Sequence, residues 1–251
     1  GAGLLVRSAQ RLAAVDPGYR PEGVTLLRVY LPRVRYDGDA MAPFFNRLLE
    51  RTRMLPGVES AATVTPGVVS GGAISISLDL PDRPFPPSQL PSVSYRAVSE
   101  GAFATLGIPL RRGRDFTLRD DATAPAVVVV NESFARTYFP GEEVLGRSIV
   151  IGYGEPLPRE VVGVVGDVRG HSLDAPAQAE VYAPLQQTPW PTSTLVVRSR
   201  LSAEQVAAAV KAELHQLDSQ LPLPPPTTLE QNLERSCRTG ASSACCCSPS
   251  R

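Results

Sequence analysis

VTLLRVYLPRVRYDGDAMAPFFNRLLERTRMLPGVESAATV, residues 24–64, carries the clearest pattern in the chain. Val24–Leu31 is a compact apolar run and reads as a strand. Asp37–Asp39 offers helix caps, and Pro43 is expected early in the helix that follows, where a missing N–H does no harm. Met41, Phe44, Phe45, Leu48, Leu49 and Leu55 form one apolar stripe on that helix. Pro56-Gly57 ends it, and Val58–Val64 alternates as a second strand. The stretch is therefore strand, helix, strand.

The same grammar returns near the other end. Thr194–Arg198 is a strand, and Ser202 with Gln205 forms a capping box. Val206, Val210, Leu214 and Leu217 make the helix stripe, and Leu221–Thr227 is the expected closing strand. Pro222, Pro224, Pro225 and Pro226 confine that strand to a sheet edge. Two like units at the two ends predict a duplicated layer, in which 24–64 and 194–227 lie side by side.

Between them the chain reads differently. Ile74–Leu80 and Val93–Val98 alternate as strands on either side of a Pro-rich loop, 81–91. Ser99 is the expected cap of a short helix over 101–106. Ala126–Val130 has no alternation and so reads as a strand covered on both faces. Asn131 caps a helix over 132–138, and strands follow at 149–151, 160–165 and 181–182. Arg111, Arg112, Arg114 and Arg119 interleave with Asp115, Asp120 and Asp121 in what reads as a solvated loop or an interface rim. The predicted class is α+β: a duplicated strand–helix–strand subdomain (24–64 and 193–236) with an inserted mixed α/β subdomain (65–192).

Composition narrows the function. The 251 residues carry 25 basic and 25 acidic side chains, so no field of one sign draws nucleic acid or anionic lipid. No run of about 20 apolar residues spans a bilayer. Gly1–Val6 is apolar and stops at Arg7, which reads either as the cut end of a membrane helix or as a frayed helical turn. All four cysteines, Cys237, Cys245, Cys246 and Cys247, lie in the last fifteen residues, 237–251. That tail has no periodicity, and it reads as a flexible segment or as an out-of-frame product.

Candidate chemistry is sparse. His215 falls in the last turn of the Ser202 helix, where imidazolium suits the helix dipole. His171 stands near Asp174, but no G-x-S-x-G elbow accompanies it. Gly163, Gly166 and Gly170 lack the spacing of a dinucleotide fingerprint, and no G-x-x-x-x-G-K-[ST] occurs. Adjacent cysteines do not provide the paired spacing of a zinc site. Asn131-Glu132-Ser133 matches a glycosylation sequon, though a helix cap explains its asparagine better. The expectation is no catalytic residue, no cofactor-binding residue and no metal ligand.

Five stretches taken in order carry a resemblance: GAGLLVRSAQRLAAVDPGYRPEGV (1–24), FFNRLLERTRMLPGVESAATV (44–64), VSEGAFATLGIPLRRGRDFT (98–117), VVVVNESFARTYFPGEEVLGRSI (127–149) and EVVGVVGDVRGHSLDAPAQAEVYAPLQQ (160–187). Together they resemble the periplasmic core domain of MacB/FtsX-like ABC-transporter permeases, of the duplicated acidobacterial type. The resemblance covers about 1–236 and places residues 1–23 at the end of a membrane helix and its stalk. It implies a non-enzymatic domain on the periplasmic side of the inner membrane, anchored in a multi-pass permease. A cognate ABC ATPase would be its partner through the membrane part, and a second permease copy or a periplasmic adaptor would be its partner outside. The family continues into a membrane helix beyond the position of Ser236, whereas this chain switches there to its Cys-rich tail, as a truncated or frameshifted product would. A stand-alone secreted binding module is the alternative. Under the first reading, flexibility is expected near 65–73 and 188–193, and the loops 81–91 and 111–121 are the expected partner surface.

Overall fold

A computed structural model of the chain describes residues 16–65, 67, 74–154, 156–169 and 176–235, with the side chain of Asp39 outside that description. β1 (Val24–Tyr30), α1 (Gly38–Arg53) and β2 (Val58–Thr65) form the first unit. β10 (Thr192–Ser199), α4 (Ala203–Leu217) and β11 (Thr227–Thr228) form the second. The two units interleave. β10 lies between β1 and β2 and is antiparallel to both, while β11 pairs with the outer edge of β1. Each β-α-β unit is thus split by a strand of the other, a pattern that lets two short units close one layer. α1 and α4 pack together on this layer, tied by Arg51 to Glu213 at 2.9 Å and to the Gln216 amide oxygen at 2.7 Å.

The ends of these helices follow from their sequence. The Asp37 carboxylate accepts the Ala40 N–H at 3.1 Å, and the Ser202–Gln205 capping box is complete in both directions. α1 starts at the first of the expected caps, Asp37, and Pro43 lies inside the helix just past its first turn. There the proline withholds a donor from the helix ladder.

The middle segment runs β3 (Ile74–Asp79), a 3₁₀ turn (Pro87–Gln89), β4 (Ser92–Val98), α2 (Ala102–Leu106) and β5 (Leu110–Gly113). It continues with β6 (Val127–Asn131), α3 (Glu132–Tyr138), β7 (Ser148–Ile151), β8 (Arg159–Val165) and β9 (Glu180–Pro184). The pairings β4–β3, β3–β7, β7–β8, β8–β6, β6–β9 and β9–β4 return to their start, so these six strands close on themselves. Closure removes the edges that short strands would otherwise expose. The ring joins the interleaved layer where Val64 and Thr65 of β2 face Val98 and Ala97 of β4. Ile76, Leu78, Val93, Tyr95, Val128, Val130 and Val181 fill it, and they belong to the same buried cluster as Phe44, Phe45 and Leu48 of α1.

Three expectations are corrected. The closing strand is not 221–227 but only Thr227–Thr228, opposite Leu26 and Thr25. Proline has no N–H to give a ladder, so pairing starts only after Pro226. Leu221 instead plugs the core, 1% exposed. Ser99 does not cap α2, whose N-cap is Gly101 in the left-handed region at φ 74°. The Ser99 hydroxyl accepts the Thr63 N–H across the strands at 3.0 Å. The start of the Arg-rich loop is strand β5, paired with β8.

Candidate interaction surface

Neither loop singled out in the sequence is a slack connection. In the Pro-rich loop the Asp79 carboxylate accepts the N–H groups of Leu80 at 2.9 Å and Phe85 at 3.0 Å, which fixes the turn that presents Asp82 and Arg83. Arg83 donates to the Tyr138 carbonyl at 2.9 Å, pairs with Glu142 at 3.0 Å and lies 5.2 Å from the centre of the Phe139 ring. In the Arg-rich loop Arg114 grips Asp120 through two bonds of 2.8 Å, and Asp120 also accepts the Thr117 N–H. Phe116, 4% exposed, anchors this loop beside Phe103. The Arg114 guanidinium holds the Asp120 carboxyl below its ordinary range, while burial pushes Asp115 above it.

The segment 139–147 connects the two loops. Arg147 reaches Glu142 at 3.2 Å and Asp82 at 3.3 Å, and Arg112 reaches Glu143 at 3.1 Å. The result is a strip of alternating charge with no net sign; the exposed side chains Leu90 and Leu118 lie on its two loops, and exposed Leu110 begins β5 beside the second. Apolar residues among self-neutralised charges suit a protein partner better than a polyanion. Sequence reading missed Glu142, Glu143 and Arg147; the signal was their mixed charge directly after the Pro140-Gly141 turn.

The remaining candidates resolve as follows. Asn131 is fully buried, its side chain accepts the Phe134 N–H at 2.9 Å, and it is a helix cap. Gly163 and Gly166 serve close packing. A Cβ at Gly163 would stand 2.3 Å from the Arg114 carbonyl oxygen, and one at Gly166 would stand 2.9 Å from Pro109. His215 is in the last turn of α4. His171, Gly170, the Cys-rich tail and most of the expected flexible link 65–73 lie outside the described residues. Among the described residues no group of three or more His, Cys, Asp or Glu is placed to hold a metal ion, and no helix is long and apolar enough to cross a membrane.

A buried polar network joins two neighbouring strands of the ring. Arg96 on β4 pairs with Glu180 on β9 at 2.5 Å and also donates to the Gly67 carbonyl. The Tyr182 hydroxyl donates to the other Glu180 oxygen at 2.8 Å, and the Glu180 N–H donates to Asn131 at 2.9 Å. Burial holds the Tyr182 phenol well above its ordinary value, so it stays protonated and keeps donating. The space beside Arg96 and Tyr182 is about 10 Å³, room for one water at most. The network therefore braces β4 against β9 and leaves no place for a substrate.

Residues 6–217 match the family model of the MacB-like periplasmic core domain. The fold is similar to the periplasmic region of MacB from Actinobacillus actinomycetemcomitans, with TM-score 0.58, 17% identity, and coverage of 90% of this chain and 97% of that one. It is also similar to the extracellular domain of the noncanonic ABC-type transporter YknZ from Gram-positive bacteria, with TM-score 0.51, 15% identity, and coverage of 81% and 98%. No curated protein sequence matches the chain significantly.

Proposed function

Because the chain belongs to the MacB-like periplasmic core domain family, the outward-facing part of ABC-transporter permeases, we propose that it relays ATP-driven motion from the membrane to a partner or substrate outside it. The observation that supports this reading is that the first and last strands of the fold are neighbours. β1 starts at Val24 and β11 ends at Thr228, and Thr25 faces Thr228 across the ladder. Segments arriving from a membrane before β1 and returning to it after β11 would pull on adjacent strands of one layer. That layer is braced by α1 and α4, and β2–β4 pairing passes its displacement to the ring.

In this reading 24–64 and 193–236 act as the porter-like subdomain, and the inserted subdomain 65–192 carries the partner surface. A cognate ABC ATPase supplies the energy through the membrane part. A second permease copy or a periplasmic adaptor meets the strip formed by 81–91, 139–147 and 111–121. No residue of the domain performs catalysis, and none holds a cofactor.

The test uses a full permease carrying this domain, with photo-cross-linkers at Leu90 and Leu118. Cross-links to a second periplasmic domain or an adaptor that disappear when ATP hydrolysis is blocked support the relay. Full transport after both loops are replaced by Gly/Ser linkers overturns it.

A further inference from the structure

A cleft of about 610 Å³ opens at the mouth of the ring, where β8 begins. Ala122, Ala124, Leu157 and Pro189 supply an apolar wall. Four side chains with polar atoms also line it: Tyr153, Arg159, Gln187 and Thr188. Two of these are spent on the backbone. Gln187 donates to the carbonyls of Asp121 and Pro125 and accepts the Val127 N–H. Thr188 donates to the Pro184 carbonyl at 3.0 Å.

Arg159 is different. It is 3% exposed, yet its Nε and Nη1 have no hydrogen-bond partner. Its Nη2 lies 3.8 Å from where a Cβ would stand on Gly154, another residue of the cleft. The nearby buried Tyr95 hydroxyl faces Thr188 and offers the guanidinium no compensating charge. No carboxylate is within ion-pair distance of Arg159 among the described residues. A buried guanidinium with unspent donors costs several kcal/mol unless something compensates it. Burial accordingly pushes its pKa down. Arg33, which acts electrostatically on Tyr153 at the cleft wall, adds positive potential there rather than relieving it.

We propose that this cleft is a binding site for a small organic carboxylate, held by the Arg159 guanidinium with its apolar part against the alanine-lined wall. Nε and Nη1 are enclosed, so Nη2, which lies beside Gly154, is the nitrogen that meets the carboxylate through a charge-assisted N–H···O bond. One buried cation balances one negative charge, which favours a carboxylate over a phosphate dianion. The volume lies within the range of small-molecule sites, and the balance of an apolar wall with a single anchoring charge is the usual composition of such sites.

The test titrates the 251-residue chain with sodium octanoate, 1-octanol and inorganic phosphate by isothermal calorimetry. Octanoate should bind, with octanol and phosphate each at least about ten-fold weaker, the worth of a charge-assisted pair. Arg159→Met should weaken octanoate at least about ten-fold while the chain stays folded by circular dichroism. Ala124→Phe, which fills the cleft and leaves the guanidinium in place, should weaken it as well. Octanol or phosphate binding as tightly as octanoate overturns the proposal, and so does unchanged octanoate binding in both variants.

Discussion

Arg96 and Arg159 stand on two strands of the same closed ring, both buried, and their surroundings are opposite. Arg96 has Glu180 at 2.5 Å and the Gly67 carbonyl; Tyr182 donates to the other Glu180 oxygen, and Asn131 accepts the Glu180 N–H. Arg159 lines an open cleft with Nε and Nη1 unpaired. Burial by itself therefore says little about what a charge does in this protein. A compensated charge closes the space around it and holds two strands together. An uncompensated one sits where space remains, and it is the better pointer to a ligand.

The largest expected effect breaks the compensated side. Arg96→Met leaves Glu180 buried without its cation and should cost about 3–5 kcal/mol in urea unfolding. Removing both charges in Arg96→Met/Glu180→Met should recover more than half of that loss, because two apolar groups replace a desolvated pair. If the double variant is as unstable as the single one, the network is more than an ion pair. Next comes Asn131→Ala, which deletes the α3 cap and the acceptor of the Glu180 N–H; roughly 2 kcal/mol should be lost in the same assay.

Arg159→Met carries the opposite sign. Without ligand its unfolding free energy should rise by about 1 kcal/mol, since an unpaired buried charge is replaced by an apolar side chain. A loss of more than about 2 kcal/mol would erase the contrast with Arg96.

Two carboxylates repeat the contrast as a pH effect. Asp120, gripped by Arg114, has its folded pKa below the ordinary 3.8, so its stabilising contribution is full above that value and lost as the pH falls below it. Asp115 is raised by burial, so its charge opposes folding at neutral pH and the opposition disappears on acidification. Asp120→Asn should therefore flatten the acid limb of a stability-against-pH profile, and Asp115→Asn should steepen it. Equal profiles would remove the distinction. The smallest effect is expected on the exposed strip: Arg147→Gln should change stability by less than about 1 kcal/mol, because solvent-exposed pairs contribute little. A larger loss would make the strip part of the scaffold rather than a partner surface.

Much of this was legible in the chain. The apolar stripe Met41–Leu49, the Ser202–Gln205 box and the Asn131 cap are local patterns, each decided within a few residues by helix geometry and unpaired N–H groups. The closing strand keeps to the sheet edge, as its prolines require, but shrinks to Thr227–Thr228 because four missing N–H donors leave 221–226 nothing to pair with. Ser99 was misread because a cap and a cross-strand acceptor look alike in sequence.

The two arginines show where local reading stops. Arg96 in SVSYRAV and Arg159 in REVVGVV occur in similar strand sequences, and neither stretch names a partner. Strand and helix types, the duplicated β-α-β grammar and the family are written locally in the chain, because periodicity, caps and breakers act between near neighbours. Only the tertiary structure decided that β10 lies between β1 and β2, that β9 closes the ring onto β4, and which buried guanidinium meets a carboxylate. Those outcomes depend on strand pairing between segments up to about 170 residues apart, set by which faces must be covered together and written in no single stretch of the chain.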